Sequence, residues 1–306
     1  MRDKQWDILG LGCAAVDDLL YVEAFPRPDT KVQVRSRERQ CGGLTVMALI
    51  AAARLGARCA YAGVLGHDEA SQFIEMTLAQ EGIDVSPAVR RADARPVLAV
   101  VIVDVERHTR TILFDVQGSV GADDAQPPAE TIHAAHVLFV DHCGVAGQVR
   151  AAQIARAAGI PVVADIERAD TPEYAQLLAL ADHLIIPDDF ASTVTGATHP
   201  ADAARALWTD ARRAVVVTCG AAGCWYLADG QPVQRQPAYP VQVMDTTGCG
   251  DVFHGAYAAA LARGLDLRER VRLASAAAAL KAAQAGGVRG IPDRSRVEAF
   301  LAGRQD

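Results

Sequence analysis

Beyond residue 128 the chain repeats one pattern. Short apolar runs at 136–140, 161–165, 183–186 and 214–218 alternate with helical stretches at 146–158, 172–181 and 201–212. The runs are apolar almost throughout and lack the alternation that a wet face imposes, so each must be covered on both sides. Strands of this kind joined through helices pair in parallel, because the crossover helix returns the chain to the same end of the sheet. The pattern predicts a doubly wound, mostly parallel α/β sheet with helices on both faces. Such sheets place ligands in the crevice at the carboxyl ends of their strands.

The first half is less regular. A strand is expected at 7–13, a helix at 45–55 opened by Gly42-Gly43 and closed by Gly56, a strand at 59–65, and a helix at 68–81 ended by Gly82. Two stretches, 14–40 and 92–116, depart from this core with wetter strands. In one, Val32, Val34 and Ser36 alternate with Lys31, Gln33, Arg35 and Arg37, which predicts a strand over 31–38. In the other, runs at 97–105 and 109–115 flank the polar turn Glu106-Arg107-His108 and read as a hairpin. A small β-sheet lid inserted into one α/β domain spanning 1–306 accounts for both.

Composition narrows the function. Hydrophobic residues make up 51% of the 306, enough for a large core. A formal net charge of -7 argues against a nucleic-acid binder. The polar start Met1-Arg2-Asp3-Lys4-Gln5 shows no signal peptide, and no run reaches the roughly 18 apolar residues of a membrane span. The 7 cysteines are scattered, with no CxxC pair, which reads as the reduced thiols of a cytoplasmic protein. The 8 histidines include no HExxH spacing, so a tightly held transition metal is not expected.

One string carries chemistry: Asp245-Thr246-Thr247-Gly248-Cys249-Gly250-Asp251-Val252-Phe253, followed by an Ala-rich helical run. Backbone N–H groups of a glycine loop that opens a helix form an anion site. A carboxylate beside that site suits removal of a proton from a hydroxyl that attacks a phosphoryl group.

The same string resembles the carboxy-terminal signature of the ribokinase-like, or PfkB, family of sugar kinases. The resemblance runs the length of the chain. Gly12-Cys13-Ala14-Ala15-Val16-Asp17 is similar to the family's first-strand pattern, Gly42-Gly43 to its double glycine, Thr218-Cys219-Gly220-Ala221-Ala222-Gly223 to its nucleotide loop, and Gly286-Gly287-Val288-Arg289-Gly290-Ile291-Pro292 to its closing segment. The likeness implies an ATP-dependent kinase using magnesium. Asp251 would be the general base, and the N–H groups of Gly248, Cys249 and Gly250 the anion hole. Asp17, at the end of the first strand, would hold the sugar with Gly42 and Gly43, with Asp18 a solvated charge. Thr218, Gly220, Gly223 and Gly286 would border the nucleotide. Asp245 and the Thr247 carbonyl would hold a monovalent cation such as potassium. In this family lid strands of two chains often pack together, which implies a homodimer.

Departures from the family pattern fall on the acceptor and magnesium sides. Leu44 and Met47 stand where the family has a sugar-binding asparagine, and an apolar side chain cannot replace amide hydrogen bonds. Asp188-Asp189-Phe190-Ala191 stands in place of the family's magnesium motif, leaving Asp188 to serve the cation. Ketohexokinase-like and sulfosugar-kinase-like branches also relax that motif, and the chain resembles them in Val22-Glu23-Ala24-Phe25-Pro26. Arg110, on a wet lid strand, could grip an anionic group or stay a solvated charge. Asp141-His142, at the end of a core strand, are placed to touch substrate. The acceptor is therefore a sugar or sugar derivative, ketohexose-like. The alternatives are a nucleoside kinase of the same fold and a non-catalytic sugar- or nucleotide-binding regulator on this scaffold.

Overall fold

The computed structural model describes residues 4–304 apart from 108, 169 and 229, and every count or absence below refers to these described residues. β1 (Trp6–Leu11) is followed by β2 (Ala15–Val22), β3 (Ser36–Gly42), α1 (Leu44–Arg54), β4 (Cys59–Tyr61), β5 (Val64–Leu65), α2 (Glu69–Gln80), β6 (Val89–Arg90), β7 (Val97–Asp104) and β8 (Thr109–Asp115). The regular half runs α3 (Ala129–His133), β9 (Ala135–Asp141), α4 (Val145–Ala157), β10 (Val162–Asp165), α5 (Pro172–Leu180), β11 (His183–Pro187), α6 (Asp188–Thr195), α7 (Pro200–Leu207) and β12 (Ala214–Thr218). β13 (Cys224–Leu227), β14 (Gln234–Gln236), α8 (Cys249–Ala262), α9 (Leu267–Ala282) and α10 (Arg294–Ala302) complete the chain.

The main sheet has the order β14-β13-β12-β11-β10-β9-β1-β4. Every pair from β12 to β4 is parallel, while β13 and β14 join antiparallel at one edge. This is the doubly wound sheet that the apolar runs predict. Successive side chains of each strand point to opposite faces, so one strand feeds two cores. Ile8, Val137, Phe139, Val163, Ile185 and Val216 pack with α1, α8 and α9. Leu9, Leu138, Val140, Val162, Leu184 and Val217 pack with α4, α5 and α7 on the other face. Each such side chain contributes about 1.5–3 kcal/mol of burial.

Two helix starts are brought together by one small residue. A Cβ at Gly255 of α8 would lie 2.0 Å from the Ala48 carbonyl of α1. The two helices therefore touch backbone to backbone. The same crossing sets Met47, near the start of α1, beside Gly248, where a Cβ would lie 2.9 Å from the methionine Cε.

The smaller sheet has the order β3-β2-β7-β8. β7 and β8 form the expected antiparallel hairpin, from Leu98 opposite Asp115 to Asp104 opposite Thr109. His108, expected in the turn, lies outside the described residues. The strand expected over 31–38 is displaced. Residues 31–34 are exposed and irregular, and pairing with β2 runs from Ser36 to Gly42. Val32 and Val34 find no partner surface, and alternation with two wet faces gives nothing to bury. The later segment gains an ion pair instead, with Arg39 donating to both Asp18 oxygens at 2.9 and 2.8 Å. The helix expected over 201–212 also stops early. Trp208 turns extended, and Arg212 folds back to donate to the Leu178 carbonyl at 2.9 Å.

Candidate active site

The residues singled out by sequence converge where the carboxyl ends of the central strands meet the starts of α1 and α8. Gly248 caps α8 with φ 75, a left-handed conformation that favours glycine, and no side chain caps that end. The first N–H groups of α8 are thus left without a side-chain partner, as an anion site requires. Asp251 follows in the first turn and is half-buried. Burial first, then the charges of Asp165, Glu167, Asp17 and Asp141, push its pKa well above the usual carboxylate range. It is a carboxylate primed to hold a proton. Cys249 is held as a neutral thiol: burial raises its pKa to about 11, although Lys281 and Arg110 pull the other way. It acts as a small spacer in the loop.

Asp17 faces this loop from the small sheet. It does not end the first core strand as expected; it lies within β2 and pairs with Gln40. Gly42 makes the approach possible, because a Cβ there would lie 2.3 Å from the Asp17 carboxylate. Gly43 (φ 92) brings α1 against the β1–β2 loop, where a Cβ would lie 2.6 Å from the Cys13 carbonyl. Burial, then the neighbouring Asp18, raises the Asp17 pKa to about 6. Arg110, on β8, reaches across from the small sheet and donates to the Thr246 hydroxyl at 2.9 Å.

Asp141 corrects the expectation of a substrate contact. It is fully enclosed, and its carboxylate accepts from Cys13 N at 2.6 Å, Cys143 N at 2.7 Å, Thr45 Oγ1 at 2.8 Å and Gln148 Nε2 at 3.2 Å. A carboxylate so surrounded by donors locks the β1 end, the α1 start and α4 together and has nothing left for a ligand. Its neighbour in the adjacent strand, Asp165, is the group the sequence reading passed over. Asp165 ends β10, and its Oδ2 lies 3.4 Å from the His254 ring. Burial raises its pKa to about 6 against the pull of His254. Its other oxygen, Oδ1, is buried with no partner. The rule that places ligands at strand ends would have found it. His254 itself braces the anion loop from below, with Nδ1 2.8 Å from the Gly250 carbonyl and Nε2 2.9 Å from that of Ile185.

On the other side of Asp251, Thr218 ends β12 and a turn spans Gly220–Ala222. At Gly223 (φ 92) a Cβ would lie 2.0 Å from the Gln236 carbonyl, so the backbone folds tightly against β14. Asp188 starts α6 beside this loop and raises the pKa of Cys219, after burial, to about 11. No group of three or more His, Cys, Asp or Glu residues is arranged to cage a metal.

Asp245 shapes the turn before the loop. Its Oδ1 accepts from Thr247 N at 2.8 Å and its Oδ2 from Gly286 N at 3.1 Å, which ties the closing segment to the anion loop. At Asp245, one of the two residues expected to hold a monovalent cation, Lys281 Nζ lies 3.3 Å from the carbonyl and 3.8 Å from Oδ2. In the sequence this lysine only interrupts the Ala-rich run 273–285. Gln40 of β3 was likewise missed; its Oε1 accepts from Gly287 N at 2.9 Å and roots the small sheet on the closing segment.

This arrangement of parallel strand ends, a glycine loop opening α8 with a carboxylate in its first turn, and a small sheet beside it is that of a sugar-kinase fold. The chain matches the family model described as "pfkB family carbohydrate kinase" over residues 8–294, and it belongs to that family. It is 27% identical to a ribokinase of Haemophilus influenzae over 95% of this chain and 97% of the relative. A putative ribokinase from Agrobacterium tumefaciens superposes with TM-score 0.90 at 30% identity, covering 97% of this chain and 99% of that one. The ribokinase of Arabidopsis thaliana complexed with ribose and ATP superposes with TM-score 0.83 at 24% identity, covering 97% and 98%.

Proposed function

We propose that this chain transfers the γ-phosphoryl group of ATP to a hydroxyl of a sugar or sugar derivative, with a ketohexose-like acceptor. The observation that carries the reading is Asp251: a carboxylate of raised proton affinity, in the first turn of a helix that no side chain caps at Gly248. Asp251 takes the hydroxyl proton as that oxygen bonds to the γ-phosphorus. The bond from phosphorus to the β,γ-bridging oxygen breaks, and ADP leaves. The N–H groups of Gly248, Cys249 and Gly250 receive the negative charge. Asp17 holds the acceptor hydroxyls above Gly42 and Gly43, and Arg110 closes the site from the small sheet, which acts as a lid. Thr218, Gly220, Gly223 and Gly286 border the nucleotide. Magnesium bound with ATP, near Asp188, supplies further charge neutralisation.

Met47 supports a second acceptor class. Its methyl group lies against Gly248, so the floor beside the anion loop is apolar, which suits a nucleoside. An ATP-consumption screen over ketohexoses, aldoses, sugar acids, sulfosugars and nucleosides separates the two. Asp251→Asn should lower turnover about 10²–10⁴-fold with ATP still bound. Phosphorylation of none of these acceptors would defeat the proposal and favour a binding protein, and unchanged turnover in Asp251→Asn would defeat Asp251 as the base.

A homodimer through the lid fits the same reading. Leu98, Val100 and Leu113 lie on the sheet face that carries Asp18, away from Asp17, and are 49%, 36% and 57% exposed. Light scattering at micromolar concentration should give twice the chain mass, and a Leu113→Asp variant should give one. All 7 cysteines are free, in keeping with the reducing conditions of a cytoplasmic enzyme.

A further inference from the structure

We infer that the Lys281 ammonium is a built-in cation for the anion loop, standing where a soluble monovalent ion would otherwise neutralise Asp245, so that this chain works without one. The inference rests on the phosphate-site reading of Gly248–Asp251 proposed above.

Lys281 lies in the last turn of α9 and has 0% of its surface exposed. A buried ammonium needs a partner, and the mechanism proposed above does not use this one. Its partner is Asp245, through the carbonyl at 3.3 Å and the carboxylate at 3.8 Å. Both Asp245 oxygens also accept loop N–H groups, from Thr247 and Gly286. The carboxylate is therefore committed to shaping the turn. Left alone, its charge would face the incoming phosphates within a few residues of the anion hole. The ammonium cancels it on the spot.

The surroundings are shaped for the lysine. A Cβ at Gly290 would lie 2.9 Å from Lys281 Cδ and 3.1 Å from Cε, so only a glycine there leaves room for the stem. The Met244 and Asp245 N–H groups both donate to the Ala282 carbonyl, at 2.8 and 3.1 Å, which clamps the turn to the end of α9 that carries the charge. The position also suits a cation because carbonyls converge at a helix C-terminus. The lysine's field reaches the anion hole itself, where it opposes the burial that raises the Cys249 thiol.

A soluble ion can be traded for a tethered one only if the tether fills the ion's place, and that is testable. Turnover is measured for wild type, Lys281→Ala and Lys281→Met in buffers whose monovalent cation is tetramethylammonium, sodium, potassium or ammonium. Wild type should vary by less than about 2-fold across the four. Lys281→Ala should lose about 10²-fold in tetramethylammonium and recover about 10-fold or more, saturably, with potassium or ammonium. Lys281→Met fills the space without the charge and should not recover. Potassium activation of wild type, or equal and unrescued losses in both variants, would overturn the inference. The same series is run as thermal melts and as ATP-binding titrations, which need no acceptor. If no acceptor is ever phosphorylated, the functional reading fails, while cation-dependent ATP binding by Lys281→Ala still decides the role of Lys281.

Discussion

Replacing Asp17 with asparagine should make the ligand-free protein more stable and its acceptor binding worse. Asp17 lies over Gly42 with its carboxyl largely removed from water, and burial followed by the Asp18 charge raises its pKa from 3.8 to about 6. A carboxyl with a folded pKa above its unfolded one binds more protons in the native state between those two values. Stability therefore falls as pH rises through the window from 3.8 to about 6, and stays reduced above it. Roughly two pKa units at about 1.4 kcal/mol each amount to ~3 kcal/mol at about pH 8, and to roughly half of that at about pH 5. Asparagine keeps the shape without the ionisation. With an unfolding entropy of about 2.1 cal/mol/K per residue, ~3 kcal/mol in a chain of this length is a Tm rise of roughly 5 °C. Calorimetric melts of both proteins without ligand, at about pH 5 and about pH 8, should show a gap about twice as large at the higher pH. An equal gap at both pH values, or a variant that melts lower at about pH 8, would refute the reasoning. The same variant should raise the KM for the acceptor about 10-fold or more, since hydroxyls bond more strongly to an ionised carboxylate than to an amide.

Asp251 must be deprotonated to accept a proton, so kcat/KM should climb with pH along a limb whose midpoint lies above the ordinary carboxylate range; a flat profile from about pH 5 upward would count against it. Gly255→Ala pushes a methyl group to within 2.0 Å of the Ala48 carbonyl and should cost about 1–3 kcal/mol in urea unfolding, with turnover reduced as Gly248 and Gly43 part. Arg110→Ala removes the 2.9 Å bond to Thr246 and should raise ATP hydrolysis without acceptor relative to phosphorylation, measured as ADP formed per sugar phosphate.

Much of the frame was legible because it depends on local rules. The strands of the regular half are apolar on both faces, and this alone implies covered parallel strands. The glycines at 43, 223 and 248 mark places where backbone approaches backbone or turns left-handed, and Gly42 leaves room for the Asp17 carboxylate. The readings that failed depended on partners distant in the chain. Residues 31–38 carry a strand-like alternation, yet β3 forms later, where Arg39 can meet Asp18. Asp141 and Asp165 both end core strands, and sequence offers no way to see that four donors surround the first and leave it closed, while Oδ1 of the second stays without a partner.

The sequence by itself determined the α/β frame, the glycine loop that opens α8 and the carboxylate in its first turn, because strand periodicity, glycine and helix starts act over a few residues. Only the tertiary structure decided which charges share a space. Lys281 lies 36 residues from Asp245, and Arg110 136 residues from Thr246. A charge is neutralised, or a pKa raised, by whatever lies within a few ångströms of it. In this chain the packing of α1, α8 and α9 on the sheet selects those neighbours.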